Sequence, residues 1–377
     1  GFSHPQFSAG FPHPQFSAGF SHPQFSAGFP HPQFSADSHN HSLQVPVCRW
    51  TGMRRLLWLL WNRSERRLRA PWRLSLGLVF CLLVAVASVL GLQLLRTALG
   101  IDGLLNTLGP TVRPLVLNAV VGLVIAAALV AVARLLDRRR LSDFGLRVDR
   151  EWWIDWAVGL AIGAGAITAV VGVGLAGGWL AIDRVGPAAG SLPAFAALVA
   201  VFVVVGFYEE LFVRGYLLTN LAEGFRWVDR VGAPVAAALA TLLSALLFGG
   251  LHATNPNATL ASTAVISAAG VMLALGYLYT GELALSIGIH TTWNAFQGLV
   301  YGLPVSGIAL PVSVVRTVPR GPAAVSGGQY GPEAGLLGLF GVFAAALAVV
   351  GYCRLRYGTL AVRPTVSSPT LRGLDAE

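Results

Sequence analysis

Residues 205–217 read VGFYEELFVRGYL, and this stretch decides the fold. It lies inside the apolar run 192–219, long enough to cross a bilayer, for which ~20 residues suffice. Yet it carries Glu209, Glu210 and Arg214. Each ionisable side chain at the centre of a membrane helix costs roughly 2.5 to 3.5 kcal/mol on insertion scales, so these three need partners. On a helix, Glu210 and Arg214 are four residues apart and share a face, whereas Glu209 points about 100° away from Glu210. Glu210 is therefore expected to be neutralised by Arg214 as structural support. A salt-bridged staple explains that pair and leaves Glu209 without a role.

The rest of the chain has the same apolar character. It has 377 residues, 55% of them hydrophobic and 11% charged, with a mean hydropathy of +0.66. A soluble domain carries charge on about a quarter of its residues. The composition predicts an all-α polytopic membrane protein of about eight transmembrane helices, at 72–95, 115–136, 156–180, 192–219, 234–252, 258–279, 283–301 and 336–352. The net charge of +9 comes from 26 arginines with no lysine. These cluster beside the apolar runs, at 54–73, 138–150 and the carboxyl tail, which points to membrane lipid and not to nucleic acid as the partner. By the positive-inside rule, both termini are expected in the cytoplasm of a multi-pass cell-membrane protein. Cys48, Cys81 and Cys353 form no CxxC and imply no disulfide framework.

Four domains of sequence follow from these shifts in composition. Residues 1–52 open with four copies of a nonapeptide, GFSHPQFSA or GFPHPQFSA, followed by DSHNHS. Such a repeat has too little apolar surface for a core and reads as a disordered tail. Its SHPQF core resembles streptavidin-binding affinity peptides, so the tail is expected to lie outside the native functional protein. Metal binding by its evenly spread His4, His13, His22 and His31 is the weaker reading. Residues 53–140 are a basic segment and two membrane helices. Residues 141–300 hold the expected catalytic core, opening with a stretch of interleaved charge and tryptophan, LSDFGLRVDREWWIDW, expected to lie at the inner interface. Residues 301–377 are a long loop, a last membrane helix and a tail.

Outside the tail there are only two histidines, His252 and His290, both at apolar spans. Phe248 precedes His252 by four residues, with Gly249 and Gly250 between them, a spacing that lets another backbone approach. Asn294 follows His290 by four, so imidazole and amide share a face. A lone membrane histidine is more often a satisfied core residue. Two of them, in the half of the chain that holds an unpaired glutamate, point to a site.

Together Glu209-Glu210-x-x-x-Arg214, Phe248-x-x-x-His252 and His290-x-x-x-Asn294 resemble the three motifs of the CPBP intramembrane proteases. That family includes the type II CAAX prenyl endopeptidases and the bacteriocin-processing, Abi-like proteins. The resemblance covers about 141–296 and implies an endopeptidase acting on a membrane-associated protein or peptide. Glu209 is then expected to take a proton from water, and His252 to share that water or deliver the proton. His290 and Asn294 would donate to the oxyanion. Glu210, Arg214 and Phe248 would support them. No cofactor is needed on this reading. The alternative is zinc held by Glu209, His252 and His290, although HExxH is absent and no further carboxylate is evident as base. A non-catalytic immunity or interaction protein on the same scaffold, and a transporter, remain as rival classes. The three site residues are expected to meet in one cavity open to the cytoplasm. With a continuous helix from Pro234, His252 would lie too deep for this, so that helix is expected to enter late or to tilt.

Overall fold

The computed structural model describes residues 58–186, 192–228 and 230–372, so the expectations for the repeat tail fall outside the described residues. Among these, seven helices are long and apolar enough to cross a membrane. We label them α1 (Ala70–Leu99), α2 (Gly109–Leu135), α3 (Arg150–Ala176), α4 (Leu192–Phe225), α5 (Ala233–Leu251), α6 (Leu260–Thr280) and α8 (Leu336–Tyr357). The chain is thus a multi-pass membrane protein. The eighth expected crossing is α7 (Ala284–Ala295), continued by a π turn at Phe296–Val300. Its 12 helical residues cover only about 18 Å. It stays short because protein surrounds it: every residue from Ala284 to Thr291 is buried, so it meets no lipid over that length.

Local chemistry marks the helix ends. Pro71, Pro110 and Pro234 stand in the first turns of α1, α2 and α5, where a missing N–H costs nothing. The Asp149 carboxylate accepts from the Trp152 N–H and caps α3. The helix therefore starts at Arg150, ahead of the expected 156. The stretch 141–156 consists of a 3-10 turn at Leu141–Phe144, a short connection and the first turns of α3, with Trp152 buried and its indole N–H donating to the Gly145 carbonyl at 3.0 Å. Thr259 and Ser262 form a capping box at the start of α6, and Gly281 ends it at φ 76°.

The helices alternate in direction between two ends of the bundle. One end gathers the start of α1, the end of α2, the start of α3, the end of α4 and the tail. Its arginines were expected at a lipid surface, yet Arg67, Arg73 and Arg139 are buried there. Glu223 explains this: its Oε1 accepts from Arg67 at 2.8 Å and from Arg73 at 2.6 Å, and its Oε2 from Arg139 at 2.6 Å. Asp137 takes the Arg73 Nε at 2.8 Å. The opposite end holds an antiparallel pair, β1 (Leu180–Val185) with β2 (Val315–Pro319), and the 301–335 loop.

Glycines set the closest crossings. Gly159 and Gly163 of α3 face the Leu285 and Ile289 carbonyls, and Gly288 of α7 faces the Trp156 carbonyl, too close for any Cβ. This contact seats α7 at the centre of the bundle.

Candidate active site

Gly206 lies one turn before Glu210 on α4, where α7 passes. A Cβ at that position would stand 2.5 Å from Thr291 Oγ1. The close approach sets Glu210 against His290. Glu210 is fully buried; its Oε1 accepts from Arg214 Nη1 at 2.7 Å and lies 2.8 Å from His290 Nδ1. Arg214 also donates to the Gly270 carbonyl on α6 at 3.0 Å and lies 4.6 Å over the Phe248 ring. The pair legible in the sequence is therefore part of a longer chain, Arg214–Glu210–His290, that ties α4, α6 and α7 together. The π stretch Leu211–Leu218 that follows the glutamates carries Arg214 inward.

Glu209 faces elsewhere, into a cavity of about 220 Å³. Its Oε1 accepts from the Tyr208 hydroxyl at 3.1 Å. Its Oε2 is buried without a hydrogen-bond partner among the described residues and stands 3.8 Å from His290 Nε2. His252 follows the end of α5, and its Nδ1 lies 2.8 Å from the Phe248 carbonyl one turn back. An Nδ1–H donating to that oxygen leaves Nε2 as the free acceptor. The Phe248 ring sits beside both imidazoles, at 4.8 Å from His252 and 6.0 Å from His290 between centroids. Asn294, one turn past His290, lines the same cavity.

Depth along the bundle differs from the expectation. The helix from Ala233 to Leu251 is continuous. Helix α4 runs on to Phe225, so Glu209 lies about 24 Å from the arginine-rich end, close to the ~28 Å at which His252 lies on α5. Glu209 thus stands near the middle of α4, about 24 Å from Phe225 and about 26 Å from Leu192.

Residues 191–296 match the family of type II CAAX prenyl endopeptidase Rce1-like proteins. The matched stretch carries both glutamates, Arg214, Phe248, both histidines and Asn294. This segment is similar to the CAAX protease family. No curated protein and no solved structure matches the chain.

Several groups around the candidate site were not foreseen. Tyr208 reaches Glu209, and its ring fits only because Gly122 on α2 has no side chain: a Cβ there would lie 2.5 Å from the ring. Adjacency to Glu209 was the one signal available. Asn255, Ser306 and Glu333 also line the cavity, the last two from the 301–335 loop outside the matched domain. The chemistry of Glu209, His252 and His290 suits zinc in kind. However, no group of three His, Cys, Asp or Glu side chains among the described residues comes together closely enough to hold a metal ion. No step below is routed through that ion.

Proposed function

We propose that the protein is an intramembrane endopeptidase that hydrolyses a peptide bond of a membrane-associated protein or peptide with water activated by Glu209. The observation that carries this is the buried, unpartnered Oε2 of Glu209, 3.8 Å from His290 Nε2 in a cavity shared with His252 and Asn294. Glu210 Oε2 is buried without a hydrogen-bond partner among the described residues as well; Glu209 differs in lining the cavity that both histidines line. Glu209 would take the proton of the attacking water through Oε2. His252 Nε2 would accept a hydrogen bond from that water, then receive the proton from Glu209 and deliver it to the leaving amine, so that both groups end as they began. Asn294 and His290 would donate to the oxyanion, where one positioned donor is worth ~2.7 to 4 kcal/mol. To donate from Nε2 while Nδ1 is bonded to Glu210, the His290 ring must carry both protons. Arg214 and Glu210 hold that ring in place.

The test compares membrane proteomes of cells making the wild-type protein or Glu209→Gln at equal abundance. The mutant should lose the new protein termini that the wild type creates, since a positioned base contributes roughly 10²- to 10⁴-fold. Retained biological effect without any cleavage would favour a scaffold or immunity role.

A further inference from the structure

The 301–335 loop brings a second carboxylate to the cavity. Glu333 is 8% exposed and lines the same wall as His252, Asn255 and Ser306. The loop is shaped to hold it. Ser306 adopts φ 46°, a conformation unfavourable for a residue with a side chain, and so turns its N–H to within 2.6 Å of Glu333 Oε2. The Ser306 hydroxyl reaches the same oxygen at 3.3 Å. Gly307 then packs against the Pro256 carbonyl and donates its N–H to the Tyr330 carbonyl, which locks the loop tip beside α5 and α6.

Its hydrogen-bond partners are neutral, and its one electrostatic partner is the His252 imidazole on the same wall. The Ser306 N–H and hydroxyl, with the Gln297 amide beside them, surround Glu333, and among the described residues no salt bridge reaches it. Burial pushes its carboxyl above the usual glutamate range. A loop staple alone needs only a neutral acceptor, and among the described residues no guanidinium or ammonium stands beside this buried carboxylate, an arrangement that is costly. Glu333, Glu209 and His252 line one cavity.

We infer that Glu333 forms a cation-recognising subsite, taking a lysine or arginine side chain of the substrate a few residues from the bond that is cut. The inference rests on the proposed endopeptidase reading and adds to it a substrate class: segments with a basic residue near the cleavage point. Glu333 is a specificity residue here and touches no reacting atom.

The test uses the full-length protein in detergent and two blocked peptide pools that differ only in Arg or Gln at each position, with cleaved bonds read by mass spectrometry. Wild type should cut Arg peptides at least tenfold faster than their Gln partners at one fixed position. Glu333→Gln should bring that ratio to near one while cutting Gln peptides at a rate within threefold of wild type. Cleavage with no basic preference, or a preference that survives Glu333→Gln, overturns the subsite and leaves the endopeptidase standing. A second arm needs no turnover: equilibrium binding of fluorescent Arg and Gln pentapeptides to Glu209→Gln protein. At least tenfold tighter binding of the Arg peptide, lost in Glu209→Gln/Glu333→Gln, supports the subsite even if wild type cuts nothing and the endopeptidase reading fails. Equal binding of both peptides overturns it.

Discussion

Tyr208 fixes one oxygen of Glu209 and leaves the other free, so the two oxygens have different work. Removing the phenol should leave substrate binding almost unchanged and slow the chemical step. Tyr208→Phe is expected to lower kcat about tenfold with KM within about twofold, the cost of a lost hydrogen bond to a charged group. Steady-state kinetics on a peptide identified from the cleaved termini would check this, and a rise in KM with unchanged kcat would count against it. At this scale the sequence was partly legible. Glu210 and Arg214 could be paired from their spacing, because a helix places four-apart residues together. That Glu210 also binds His290, and that Tyr208 and Glu333 share the cavity, depends on contacts between distant elements that no local spacing encodes.

Helices α5 and α6 touch where α5 carries two consecutive glycines, and only one of them is at the contact. A Cβ on Gly249 would stand 2.5 Å from the Thr263 carbonyl, whereas one on Gly250 would meet nothing within 4 Å. Gly249→Leu should push α5 off α6, shift His252 and abolish activity, with overpacking costing typically 1 to 3 kcal/mol. Gly250→Leu should be silent in thermal unfolding and in activity. Equal effects at both positions would contradict the packing described. The turn between α6 and α7 carries a titrating group. Burial, the largest influence, pushes the Glu282 carboxyl from 4.5 up to about 6, against the Arg147 N–H and guanidinium, which lower it. The folded protein thus holds this proton more tightly than the unfolded chain does. Its contribution to stability is present below about pH 4.5 and is lost as the pH rises to about 6. The Tm of the wild type relative to Glu282→Gln should therefore fall across that window; a rise would reverse the sign. Apolar length made seven of the helices readable in advance. The eighth was read as an ordinary span because hydropathy does not distinguish lipid from a protein interior.

On the scale of the whole molecule, arginines gather at one end and the 301–335 loop lies at the other. The positive-inside rule then predicts the 301–335 loop on the non-cytoplasmic side. Single cysteines at the exposed Arg320 and Arg354 test this, in a background with Cys48, Cys81 and Cys353 replaced by alanine. A membrane-impermeant maleimide applied to intact cells should label Arg320→Cys, and should label Arg354→Cys only after permeabilisation. The reverse pattern would put that loop on the cytoplasmic side and break the rule. Charge counting found the arginines but not their burial, because Glu223 and Asp137 reach them only in the folded bundle. The central claim is that Glu209 activates water directly. Its most direct test is the single-turnover cleavage rate of a peptide substrate by chelator-treated full-length protein, wild type against Glu209→Gln. The account predicts an unchanged rate for the treated wild type and at least a hundredfold loss in Glu209→Gln; a wild-type rate abolished by chelation and restored by zinc would contradict it.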